Sequence, residues 1–172
     1  MRDFSVYRLI PLLMVGLLSV LSVNVFGQSG AVILEGAQLT RVTPTSFYYQ
    51  GQSAPTQMRN AAAVKFAADR FVIAGLVDTS GYSTEIQGKY VGFFITDSPV
   101  SVAGTSLGTG AYGFGFSNDG KFNVFDIGGK QLMSVEAHQD KALKRPKPLM
   151  MTKDGNEIRL YNGRNYVVFA AA

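Results

Sequence analysis

The side chains best suited to recognition chemistry lie between Ser46 and Asn60, where Tyr48, Tyr49, Gln50, Gln57, Arg59 and Asn60 mix phenols, primary amides and a guanidinium without a clear period. Amides and phenols both donate and accept hydrogen bonds, so they adapt to many ligands. A guanidinium grips a carboxylate or phosphate with two parallel bonds. These types point to a ligand- or partner-binding surface on a long loop, and loops of this length are disproportionately functional. The opposing reading is a polar connection whose side chains satisfy its own backbone. Asp78, opening the polar run to Glu85, is a further candidate, although with Ser80 it also suits the shaping of a turn.

Patterns that would signify catalysis lack the context they need. Gly108, Gly110 and Gly113 have the spacing of a dinucleotide loop, but an alternating aromatic strand follows instead of a helix N-terminus. Gly104, Ser106 and Gly108 match a nucleophile elbow, with Asp126 and His138 following in triad order. An elbow requires a strand-to-helix turn in a parallel sheet, and a simple turn between strands explains these glycines better. His138 is the single histidine and cysteine is absent, which excludes multi-histidine and thiolate metal sites. Asp154, Asn156 and Glu157 fall short of a calcium loop and read as a hairpin turn. No catalytic, cofactor-binding or metal-ligating residue is assigned.

The elements that must position these groups read as strands. Tyr112, Phe114 and Phe116 alternate with Gly113, Gly115 and Ser117, one bulky face against one bare face. The bare face fits tight curvature or an aromatic neighbour packed on the backbone. Turn signals at Asn118-Asp119-Gly120, Gly128-Gly129, Asp154-Gly155-Asn156 and Asn162-Gly163 separate Phe122 to Ile127, Gln131 to Ala137, Leu149 to Thr152, Glu157 to Tyr161 and Asn165 to Ala170. That half reads as a β-meander. Earlier, Val32 to Val42, Val64 to Phe66, Phe71 to Asp78, Tyr90 to Thr96 and Val100 to Ala103 read as strands, with bends at Asp69-Arg70 and Ser98-Pro99. The one helix expected is short, near 84–89, with Thr84 as its cap and Gln87 completing a capping box. The fold predicted is all-β: a single antiparallel β-barrel, because closure removes exposed edges, with a two-sheet β-sandwich as the alternative.

Residues 1–27 have the layout of a secretory signal: Arg2 and Arg8, an apolar run from Leu9 to Val25, then small or tolerated residues at Val25 and Gly27. Cleavage after Gly27 is expected, with Ala31 as second choice. The alternative is retention of Leu9 to Val25 as a membrane tether, for which the run is just long enough. The remainder, residues 28–172, suffices for one domain with one core, and 47% hydrophobic content allows a cysteine-free core. Without Arg2, Arg8 and Asp3 the 16 basic and 12 acidic residues fall to 14 and 11, a net charge of +3. So mild a charge implies no nucleic-acid partner. The one basic cluster, Lys141 to Lys147, reads as a solvated loop stiffened by Pro146 and Pro148, with an anion-binding patch as the alternative.

The blocks Gln50–Asn60, Gly75–Ser83 and Gly163–Phe169 resemble those of secreted all-β proteins of soil bacteria of the acidobacterial kind, a group without assigned activity. The resemblance spans nearly all of residues 28–172. It implies export and a single β domain, and it supplies no site residue. The expectation is a periplasmic or extracellular, non-enzymatic β-domain that needs no cofactor and binds a small molecule or an envelope protein. It would touch a membrane only through an uncleaved leader. A structural component of the envelope is the alternative, and a hydrolase ranks third.

Overall fold

A computed structural model describes residues 30–66 and 70–172, so the expected leader, the expected cleavage after Gly27 and Asp69 of the expected bend lie outside the described residues. The elements are β1 (Val32–Leu34), α1 (Gly36–Val42), β2 (Ser46–Tyr49), β3 (Gln52–Phe66), β4 (Arg70–Val77), α2 (Thr84–Gln87), β5 (Gly92–Thr96), β6 (Val100–Val102), β7 (Thr105–Leu107), β8 (Gly110–Phe116), β9 (Lys121–Phe125), β10 (Gln131–Glu136), β11 (His138–Gln139), β12 (Lys147–Asp154), β13 (Glu157–Gly163) and β14 (Asn165–Ala171). All strand pairings are antiparallel. The large sheet runs β1-β3-β4-β5-β8-β9-β10 with β2 added beside β3. The small sheet runs β12-β13-β14-β6-β7 with β11 added beside β14.

The two sheets share no ladder, so the all-β expectation holds as a sandwich and the closed barrel does not. Edges are blunted by other means. β7 has three residues, β10 carries a bulge between Gln131 and Met133, and β12 opens with Lys147-Pro148. Short strands, bulges, lysine and proline all discourage edge pairing, which removes the need for closure.

Each of the four predicted turns is present, with Gly120, Gly129, Gly155 and Gly163 at φ between 60° and 90°. They build two short meanders instead of one. Strands β8 to β10 belong to the large sheet and β12 to β14 to the small sheet. Residues 137–146 carry the chain from one sheet to the other.

Three local expectations need correction. The strand predicted over Val32 to Val42 stops at Leu34. Gly36 turns the chain at φ 53°, and a helix follows, in which Thr40 Oγ1 donates to the Gly36 carbonyl at 3.1 Å and Pro44 stops its extension. Helix α2 is capped by Ser83, whose Oγ accepts from the Ile86 N–H at 3.4 Å. Gln87 reaches the Tyr82 carbonyl at 2.7 Å instead of closing a box with Thr84. Finally, residues 46–60 are not a loop: they form the β2–β3 hairpin.

Side chains from both sheets interlock in the main core, among them Val72, Ala74, Phe94, Phe114 and Phe122 from the large sheet and Met151, Ile158, Leu160, Val167 and Phe169 from the small. The opposite face of the large sheet is also covered. Phe47, Tyr49 and Ala54 of the hairpin, with Tyr82 and Tyr90 flanking α2, pack there on Val77, Phe93 and Phe125. Tyr49 stacks on Tyr90 at 3.9 Å between centroids. The bare face of β8 lies beneath this layer: a Cβ at Gly113 would meet the Tyr49 ring at 2.7 Å, and one at Gly115 the Lys89 carbonyl at 1.9 Å. Gly113 therefore fits the reading of close aromatic packing, while Gly115 is closed in by the backbone at Lys89.

Candidate binding surface

The seven predicted site residues do not converge. Tyr49 is fully buried, and burial pushes its phenol above the usual range. Gln50 occupies the hairpin tip at φ 45°. Its N–H donates to the Ile127 carbonyl at 2.8 Å, pinning the tip to the β9–β10 turn. Tyr48 is 53% exposed on the outside of the hairpin.

The remaining four surround a register shift in β3. Between the pairs Thr56–Val77 and Ala61–Gly75, four residues of β3 face a single residue of β4. Gln57 Nε2 donates to the Val77 carbonyl at 2.9 Å, and Asn60 Nδ2 to Gln57 Oε1 at 2.8 Å. These amides fill the gap in the ladder, as the self-satisfying reading requires. Asp78 Oδ1 accepts from the Ser80 N–H at 3.0 Å, a turn contact that holds its carboxyl below the usual range. Arg59 is exposed. It makes no hydrogen bond or ion pair among the described residues.

The residues of the hydrolase reading stay apart as well. Ser106 sits in edge strand β7 opposite Ser101. Asp126 accepts the Lys130 N–H across the β9–β10 turn at 2.9 Å, and His138 pairs with Tyr166 in the small sheet. Among the described residues no three histidine, aspartate or glutamate side chains group to hold a metal.

A different surface collects charge and aromatic area together. Seven of the 16 basic residues but three of the 12 acidic ones fall between His138 and Tyr166. This stretch therefore carries the chain's whole net charge of +4, while the rest balances nine against nine. Strand alternation sorts it: Ile158 and Leu160 enter the core, which sends Arg159 and Tyr161 to the outer face of the small sheet. There the tilted rings of Tyr161 and Tyr166 lie 5.0 Å apart, and those of Tyr166 and His138 5.2 Å apart. The Arg159 guanidinium sits 5.2 Å from the Tyr166 ring centre and is ion-paired with Asp154. Cation and ring attract each other, and the stack keeps the arginine extended along the sheet.

The basic loop beside this row is braced. Asp140 Oδ1 accepts from the N–H groups of Ala142 and Leu143, each at 3.0 Å. Its other oxygen accepts from the Tyr161 hydroxyl at 3.2 Å. From the β13–β14 turn, Arg164 donates to the carbonyls of Asp140, Lys141 and Leu143. These bonds fix the backbone while Lys141, Lys144, Arg145 and Lys147 stay exposed without an ion pair among the described residues. Reading the cluster from sequence as a solvated loop, ahead of an anion-binding patch, missed the two residues that hold it, Asp140 and Arg164. The facing tyrosines were within reach, because a two-residue turn after Asn162 pairs Tyr161 with Tyr166.

Comparison of the chain with protein-family models, with curated proteins and with solved structures finds no match.

Proposed function

We propose that the protein is an exported, non-enzymatic binding domain that holds an acidic polysaccharide of the cell envelope against the outer face of its small sheet. The carrying observation is the concentration of the chain's net charge on a loop whose backbone is already ordered by Asp140 and Arg164. Pre-ordering lowers the entropy lost on binding. Half-exposed Tyr166 and exposed His138 offer ring faces to sugars, and the lysines and Arg145 meet carboxylates. Export is inferred from the leader and from the resemblance to secreted soil-bacterial proteins. A lipid surface has less support, because the large apolar side chains that stand exposed, Val32, Tyr48, Ile127 and Leu132, all belong to the large-sheet side. Assembly through sheet edges is opposed by the blunted edges of β7, β10 and β12.

Retention on immobilised polygalacturonate at low ionic strength tests the reading. The parent chain should be retained and should elute with salt as the charges are screened. Replacing Lys141, Lys144, Arg145 and Lys147 together by glutamine should abolish retention and leave the melting temperature unchanged. Undiminished retention of that variant would sink the proposal. Equal retention on polyglutamate would remove the sugar from it.

A further inference from the structure

The end of the sandwich away from the basic loop contains a cavity of about 490 Å³, within the size range of small-molecule sites. Both sheets build it: Phe66 and Arg70 come from the β3–β4 side, Pro99 from the β5–β6 connection, and Lys153 and Asn156 from the β12–β13 hairpin. Phe66, Pro99 and the alanines at the end of β14 make an apolar wall. Arg70 and Lys153 supply two cations, and among the described residues no acidic side chain lines the space. The nearby Asp97 carboxylate is engaged, since its Oδ1 accepts the Phe71 N–H at 2.8 Å. Among the described residues Arg70 makes one hydrogen bond, from Nη1 to the Asp97 carbonyl at 3.1 Å. Lys153 lies across Gly30, where a Cβ would meet its Nζ at 2.9 Å. It has no ion pair or hydrogen bond among the described residues.

Two cations beside an apolar wall are satisfied by a ligand that is both acidic and apolar. We infer that this cavity binds a small amphiphilic anion, its carboxylate, sulfonate or phosphate head at Arg70 and Lys153 and its compact apolar body against Phe66 and Pro99. The site is separate from the polysaccharide surface and does not depend on it.

Fluorescence titration with 8-anilinonaphthalene-1-sulfonate, with decanoate as competitor, provides the test. The dye should bind at one site, and decanoate should displace it. Replacing Arg70 and Lys153 together by glutamine should weaken binding by about tenfold or more, since two charge-assisted contacts are lost. Lys153→Gln alone removes no bond of the fold and should weaken binding several-fold, so the inference stays testable if Arg70→Gln disturbs folding. The variant lacking the four basic-loop charges should bind as the parent does. Unchanged affinity in Lys153→Gln, failure of decanoate to compete, or equal affinity for uncharged N-phenyl-1-naphthylamine would each overturn the inference.

Discussion

The two sheets differ in how fully their faces are covered, and that difference decides where chemistry is free to occur. The large sheet lies between two apolar layers, the small sheet on one side and the β2–β3 hairpin with α2 on the other. A row across its outer face runs Ala61, Gly75, Phe93, Gly113, Phe125, so that small residues alternate with rings. Its strands consequently read as nearly continuous apolar sequence, as at Phe93-Phe94-Ile95. The small sheet is covered fully on its core side and on the outer side only in part. On its β13, Ile158 and Leu160 enter the core, while on the outer face Arg159 is half-buried and Tyr161 is buried with its hydroxyl on Asp140. The aromatic residues of the large sheet's outer face are spent on packing, while on the small sheet Tyr166 stays half-exposed and His138 exposed.

The largest expected effect comes from wedging the covered face apart. Gly115→Ala places a methyl group 1.9 Å from the Lys89 carbonyl, a backbone atom that moves only with the whole covering layer. The cost should be about 3 kcal/mol, the upper end for overpacking. Thr152→Ala, on the outer face of β12, should stay within about 0.5 kcal/mol, as surface changes do. Urea denaturation of both variants measures the contrast. Equal losses would mean that the small sheet's outer face is also structural.

High pH should attack the same covered face next. Tyr90, Tyr49 and Tyr82 all have phenol pKa values pushed up, chiefly by burial and for Tyr90 also by its two tyrosine neighbours. A phenol raised in the folded state keeps its proton where the unfolded chain has lost it. The stabilisation is therefore complete below the unfolded value of about 10 and declines as pH rises above it. Urea midpoints should hold between pH 8 and 10 and fall beyond, with part of the 295 nm tyrosinate signal appearing only as the chain unfolds. A midpoint independent of pH up to 12 would show that the stack is not a sealed layer.

How much of this was legible in the sequence follows from the range of the forces involved. Turn glycines and period-2 alternation act within a few residues, so β8 to β10 and β12 to β14 could be read in place, down to the bare face at Gly113 and Gly115. Sheet closure depends on whether distant edges bond, and nothing local near β7 or β12 states it. The hairpin over residues 46–60 was concealed because Phe47, Tyr49 and Ala54 are its buried positions, while Pro55 and the amides around them imitate a loop. The proposed binding surface was half legible. Lys141 to Lys147 stood out as charge, but the bracing by Asp140 and Arg164 joins segments over 20 residues apart and exists only once β13 and β14 have paired.

The smallest effects lie within the tyrosine cluster and test whether its hydroxyls matter as well as its rings. The Tyr82 hydroxyl donates to the carbonyls of Tyr49 and Gln52, at 3.1 and 3.2 Å, tying α2's flank to the hairpin tip. Tyr82→Phe should cost about 1–2 kcal/mol, since it leaves those buried carbonyls without that donor. The Tyr49 and Tyr90 hydroxyls, by contrast, are buried and make no hydrogen bond of good geometry among the described residues. A buried hydroxyl in that state is a desolvation cost with nothing to offset it, and phenylalanine removes the cost while keeping the ring. Tyr90→Phe should therefore be neutral or stabilising by up to about 1 kcal/mol. Thermal melts of Tyr82→Phe and Tyr90→Phe should move in opposite directions or differ plainly in size. If Tyr90→Phe instead destabilises as much as Tyr82→Phe, its hydroxyl has a partner, and the covering layer is held by polar contacts as well as by apolar ones.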